Sequence, residues 1–242
     1  MTKTTLQQVT DHVWIYPADP KPQNVQPLIG IVCTQSQTVL VDAGNCPARA
    51  RRILAALHEI SAPEVSHVIY THHHWDHIFG AQVYNAPVVA HETCKQMTVN
   101  YAQAPWSPQY LRQEAKQTPR RKVSMDRVGQ VMEGDWDTFA IVLPSIVFED
   151  QKLCLPLDGV TVEVEHVGGH HSADSTVVTV LDDGVMFMGD CFYPPPSHLN
   201  KDNLSYDEDM LVGFLERKLN FYADGHSGAF TAADWHKMLG LD

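Results

Sequence analysis

Three observations predict a single α/β domain. Short runs rich in Val and Ile flank one segment of clear helical spacing, which makes a strand, helix, strand unit early in the chain. The 242 residues suffice for one sizeable core, and no shift in composition divides them. Side chains of metal-ligating type recur where apolar runs stop, as in a sheet that carries its site at the strand ends.

The elements follow in order. Residues 9–16 read as a first strand, followed by a loop through Pro20, Pro22 and Pro27. Residues 28–33 and 38–41 flank Thr34-Gln35-Ser36-Gln37 as a hairpin, and the second run ends in Asp42-Ala43-Gly44. Ile53, Leu54, Leu57 and Ile60 mark a helix over 47–60, stopped at Ser61-Ala62-Pro63. Val68-Ile69-Tyr70 returns as a buried strand, so the connection is a parallel crossover. Residues 87–90 form a short strand, with a helix starting at His91. Residues 99–137, with Trp106, Pro108, Arg112, Arg120, Arg121 and Lys122, are polar and poorly periodic, and read as a helical or loop insertion able to cover a site. Strands are expected again over 139–148, 152–155 and 160–167, then over 176–181 and 185–188 around the hairpin signal Asp182-Asp183-Gly184. A helix near 206–219, a strand at 220–222 and a helix over 232–239 complete the domain.

Composition narrows the partners. Lys and Arg number 17 against 29 acids, a formal charge of -12, which argues against nucleic acid, whose phosphates are bound by basic side chains. No apolar stretch approaches the roughly 20 residues that span a bilayer. The first residues lack the apolar core of a secretory signal, so a cytoplasmic protein is expected. Cys33, Cys46, Cys94, Cys154 and Cys191 are scattered, without any CxxC pair, and read as reduced thiols. A small-molecule substrate is the expected partner, and no stretch specifies an oligomeric state.

Four imidazoles and a carboxylate crowd into His72-His73-His74-Trp75-Asp76-His77. Zinc and similar ions prefer such ligands, and side chains two apart in an extended chain point the same way. His72 and His74 can therefore grip one ion, while Asp76 and His77, one turn on, reach a second. A chance gathering in a polar loop is the competing reading, but burying so much imidazole without a partner is costly. His73 and His77 have the spacing of a zincin helix, yet the Glu that motif requires is replaced by His74 and the preceding run is a strand. Further ligand types stand at His170 or His171, Asp190 and His226. Asp42 either caps a turn or orients the metal loop from behind.

The set of motifs resembles the metallo-β-lactamase superfamily, marked by HxHxDH after a strand, then Gly-His, Gly-Asp and a final Gly-His. Residues 72–77 match the first motif in full, and Gly189-Asp190 and Gly225-His226 match later ones. Residues 38–44 resemble the strand and Asp-x-Gly turn upstream of it. The resemblance runs from about residue 9 to 230 and is thinnest over 99–137. It implies one domain over 1–242 with a four-layer αβ/βα sandwich, classed as α/β or, in some schemes, α+β. Carried over, His72, His74 and one of His170 or His171 hold the first metal, Asp76, His77 and His226 the second, and Asp190 bridges. The family's hydroxyl and turn residues after the ligand match His171-Ser172-Ala173-Asp174-Ser175, which favours His171. Gly169-His170 fits the Gly-His pairing and leaves His170 as alternative ligand or substrate contact.

The implied activity is that of a metal-dependent hydrolase, in which a hydroxide held by two divalent ions cleaves a small ester, thioester, lactone or amide-type bond. Zinc is expected, with iron or manganese as alternatives. Asp76 would orient the nucleophile. Tyr193 and His198 are candidate substrate contacts, and both, with His170 and His73, are candidate proton donors. Trp75, Trp106 and Tyr193 are candidates to line a pocket. Nucleases of the family want a basic face, and its secreted β-lactamases an export signal. A second reading is a mononuclear non-haem iron oxidoreductase resembling the persulfide dioxygenases, with two His and one Asp on iron. A non-catalytic binding protein ranks last, because no ligand of the set is missing.

Overall fold

The central strands are buried on both faces, and successive side chains along them enter different cores, which sorts the molecule into layers. The computed structural model describes residues 5–132, 134–196 and 205–240. A first sheet contains β1 (Gln7–Gln8), β2 (Val13–Tyr16), β3 (Ile29–Cys33), β4 (Thr38–Val41), β5 (Val65–Ile69), β6 (Val88–His91) and β7 (Ile146–Phe148), side by side in chain order. Its first four strands pair antiparallel and the rest parallel. A second sheet contains β8 (Lys152–Leu157), β9 (Val160–His166), β10 (Thr176–Val180), β11 (Val185–Gly189), β12 (Phe221–Asp224) and β13 (Ala229–Phe230), again in order, with β11 and β12 the parallel pair. The helices are α1 (Pro47–Glu59), α2 (Trp75–Ile78), α3 (Glu92–Ala102), α4 (Pro108–Gln117), α5 (Lys122–Val131), α6 (Glu208–Leu215) and α7 (Ala232–Leu239).

On β4, Val39 and Val41 point into the core between the sheets, where they join Val178, Val180, Val185 and Phe187. Leu40 points the other way, into a core with Ile53 and Leu57 of α1. On β11, Met186 and Met188 face outward, into a third core with Leu211, Phe214 and Trp235 of α6 and α7. Helices, sheet, sheet and helices thus form four layers. The two sheets approach so closely at Gly30 that a Cβ there would lie 2.6 Å from the Phe187 ring. Among the described residues no helix is long and apolar enough to cross a membrane.

Some elements differ from expectation. Residues 139–145 are not strand, and only 146–148 pair with β6. That segment is held instead by side chains: the Tyr70 hydroxyl donates to the Val142 carbonyl (3.0 Å), and Gln82 accepts from the Ala140 amide (2.6 Å). Residues 108–131 are largely helical, and their weak periodicity has a cause: α4 buries Leu111, and α5 buries Met125 and Val128. The helix expected over 206–219 is shorter because the Asp207 side chain caps it, accepting from the Met210 amide, and Lys218 beyond it adopts a left-handed conformation.

Candidate metal centre

The loops that carry imidazole and carboxylate meet at one edge of the sandwich, where the sheets are bonded to each other. The Thr176 amide donates to the Thr71 carbonyl (2.8 Å) and Leu28 to Gly225 (2.7 Å), and within the second sheet Gly225 donates to Gly189 (2.9 Å). His72 and His74 lie between β5 and α2, Asp76 and His77 on α2, and His171 between β9 and β10. Asp190 directly follows β11, and His226 lies in the turn between β12 and β13.

Two groups of ligand atoms result. The Nε2 atoms of His72 and His171 lie 3.0 and 3.1 Å from Nδ1 of His74. The Nε2 atoms of His77 and His226 lie 3.5 and 3.4 Å from Oδ2 of Asp76. Asp190 stands between the groups, its Oδ2 3.5 Å from His171 Nε2, 3.5 Å from His77 Nε2 and 3.3 Å from His226 Nε2. Three sets, His72 with His74 and His171, His72 with His77 and Asp190, and Asp76 with His77 and His226, each have ligand atoms within 4.8 Å of one another, close enough to hold a metal ion.

Hydrogen bonds behind the rings decide which nitrogen faces the centre. Asp42 accepts from the amide (2.8 Å) and hydroxyl (2.9 Å) of Thr71 and lies 2.7 Å from His77 Nδ1. With its proton given to Asp42, the Thr71 hydroxyl accepts from His72 Nδ1 (3.0 Å). His171 Nδ1 donates to the Pro194 carbonyl (3.0 Å). All three Nε2 atoms are then left with a lone pair toward the centre, as metal ligation requires. His77 Nε2 and Asp190 Oδ1 are buried with no hydrogen-bond partner. Buried polar atoms are normally satisfied, so the donor set fits a cation.

The charges point the same way. Burial and the neighbouring His77 and His74 push His72 well below the ordinary histidine range, and burial with His73 and His171 lowers His74 to about 3. Burial also opposes charge on His226, yet Asp190 and Asp76 carry it up to about 10. His77 is raised well above the usual value, against its burial, by Asp42 and Asp190. Against its own burial, Asp190 is held far below the carboxylate range by His226 and His77. A cation in this place would answer the same negative charge as a proton on His77 or His226, so its binding would displace that proton and leave Nε2 its lone pair.

Local backbone makes this possible at two positions. Asp42 has φ 68°, a left-handed conformation that Asp tolerates better than most side chains, and its amide donates to Ile69 (2.8 Å). At Gly225 a Cβ would lie 1.9 Å from Asp190 Oδ1, so the turn carrying His226 can close over the carboxylate only without a side chain.

Of the other residues singled out in the sequence, some border the centre and some do not. His170 is exposed, 3.3 Å from Asp207 and apart from both groups. His198 lies outside the described residues. The Tyr193 ring stacks at 6.1 Å on His226, and its hydroxyl donates to Asp224 (2.8 Å). Trp75 borders a cavity of about 590 Å³ above the centre, whereas Trp106 packs on Phe79 and Tyr101 and does not line it. Two organising carboxylates were not singled out. Asp174, fully buried, accepts from the His73 amide (2.8 Å) and the Ser172 hydroxyl, and lies 3.2 Å from His73 Nδ1. Burial raises its pKa, but His73 and Ser172 hold it at about 2. Asp224 accepts from Tyr193 and from the Ser227 amide (2.8 Å). In sequence Asp174 reads as a turn residue after His171, and Asp224 only as the neighbour of Gly225-His226.

The family model of the metallo-beta-lactamase superfamily matches residues 23–228. No curated protein matches. Among solved structures, a metallo-beta-lactamase from Pontibacter korlensis is 19% identical, with a TM-score of 0.63 over 98% of this chain and 97% of that one. A metallo-beta-lactamase from Hirschia baltica is 16% identical, with a TM-score of 0.60 over 97% of this chain and 94% of that one. The stereoselective inverting sec-alkylsulfatase Pisa1 from Pseudomonas sp. is 16% identical, with a TM-score of 0.68 over 98% of this chain but 40% of that one. At such identities the structural likeness is one of fold, and the family match spans most of the sequence: the chain belongs to the metallo-beta-lactamase superfamily.

Proposed function

We propose that this protein is a metal-dependent hydrolase of a small ester, thioester, lactone or amide, with two divalent ions, zinc foremost. The observation that carries this reading is Asp190 Oδ2, which lies 3.3 to 3.5 Å from imidazole nitrogens of both groups, where one carboxylate can serve two sites. On this reading His72, His74 and His171 hold one ion, Asp76, His77 and His226 the other, and Asp190 is shared. When bound, such ions lower the pKa of water and polarise a carbonyl.

The chain's own residues supply the rest. Asp76, buried beside both groups, accepts a hydrogen bond from the attacking water and so aims it. In the net reaction the acyl C–X bond breaks, a C–O bond to water forms, and one proton of the water ends on X. His73, whose ring lines the cavity and whose Nδ1 faces Asp174, is the group to hold and return that proton. Tyr193 shapes the wall, because its hydroxyl is engaged by Asp224. The five unbridged thiols fit a reducing, cytoplasmic setting.

Metal content of protein purified without chelator or added metal tests the proposal, followed by a panel of thioesters, lactones and β-lactams. About two zinc or manganese ions per chain with turnover support it. About one iron per chain, with oxygen consumed alongside a thiol substrate, would replace it with the oxidoreductase reading. Two ions without turnover of any substrate would leave a binding protein.

A further inference from the structure

The cavity wall facing the metal centre is basic, in a protein that is otherwise acidic. Six of the 17 Lys and Arg residues fall within 112–127, with two acids, Glu114 and Asp126, while the chain as a whole carries -12. Arg120 and Arg121, from the turn before α5, and Arg127, from α5, line the same cavity as His74, Asp76 and His226. Both acids are engaged by neighbours: Glu114 accepts from Arg121 (2.7 Å) and Asp126 from Lys122. Among the described residues no carboxylate forms an ion pair with the exposed Arg120 or Arg127. A solvated helix face would be expected to mix its charges; this one brings to the rim of the candidate site two guanidinium groups with no ion-pair partner among the described residues.

We propose that Arg120 and Arg127 form an anion subsite, and that the substrate is an acyl compound bearing a carboxylate or similar oxyanion away from the bond that is cut. The acyl part rests on the hydrolase reading; the subsite rests on the cavity wall. Guanidinium groups match carboxylates bidentately, and the attraction strengthens where a bound ligand excludes water. Ser124, on the same wall, adds a hydroxyl donor. The overall field of an acidic protein repels anions, so admitting one requires a local reversal of sign, and this segment provides it.

Calorimetric binding of hexanoate and hexanamide to the metal-loaded protein tests the subsite, since these probes differ in charge and not in length. Wild type is expected to prefer hexanoate by about tenfold or more. R120Q/R127Q should lose that preference, and R112Q, which removes a charge beside Pro108 and Trp136 outside this cavity, should keep it. A preference that survives in R120Q/R127Q places the carboxylate on the metal centre and overturns the proposal. Equal loss in R112Q overturns it too, by showing a diffuse field. Melting temperatures monitor folding, and R120Q alone carries the same test if the double variant is unstable. Matched thioesters with and without a distal carboxylate supply the second arm: in R120Q/R127Q, kcat/KM should fall about tenfold for the acid and stay unchanged for the neutral compound. If neither thioester turns over while the binding preference holds, the thioester form of the hydrolase reading falls and the subsite stands.

Discussion

His72, His77 and His171 each have a ring nitrogen tied to a scaffold oxygen, whereas Arg120 and Arg127, across the same cavity, have no ion-pair partner among the described residues. The imidazoles sit on the segments that follow strands of both sheets, His77 on the short α2, and are almost fully buried. The arginines sit on a helical segment anchored by Leu111, Met125 and Val128. Groups that hold a metal must stay within a few tenths of an ångström, so they are fixed from behind. Groups that recognise a ligand gain from side-chain freedom and easy exchange, and they lie on a surface segment.

The comparison breaks most directly at Asp190. Asp190→Ala should reduce bound metal from about two ions to one or fewer and abolish turnover, with unchanged far-UV circular dichroism. Wild-type activity in this variant would mean that the carboxylate is not shared. Gly225→Ala should come next, although no ligand is removed: the new Cβ would stand 1.9 Å from Asp190 Oδ1, and either the carboxylate or the turn must move. Metal content equal to wild type would show that the turn yields freely. Asp42→Asn should weaken metal binding by about 10–100-fold, measured by competition with a chelator, because it disturbs the hydrogen bonds to Thr71 and His77. No change would show that the rings are positioned without it.

Smaller effects sharpen the contrast. The carboxyl of Asp174 falls from an ordinary 3.8 to about 2 on folding, so its contribution is fully present above 3.8 and lost as pH falls through 2. Asp174→Asn should cost about 1–3 kcal/mol in urea unfolding at pH 7, and its deficit against wild type should shrink as pH falls toward 2. A deficit that stays constant with pH would reject this linkage. The smallest change is expected on the basic wall, where R120Q/R127Q should leave metal stoichiometry as in wild type. Lost metal there would show the two regions to be one unit.

Local chemistry was enough to read a large part of this molecule from sequence. The spacing of His72, His74, Asp76 and His77 after an apolar run is a short-range property, as are the apolar runs that mark β4 and β11. Both survive folding because strand geometry dictates them. The four layers came from resemblance rather than from periodicity, and the separate cores on either face of each sheet bear them out. The segment holding α4 and α5 resisted reading because each helix buries one or two apolar side chains, too few to reveal a period. The sequence by itself therefore determined the α/β class and the kinds of group available for a metal. The resemblance already favoured His171, which lies against His74; tertiary structure alone decided that the adjacent His170 faces Asp207, that Asp174 and Asp224 organise loops, and that Arg120 and Arg127 border the same cavity as His226. Those pairings join residues up to about a hundred positions apart, and such distances become contacts only when the two sheets close on each other.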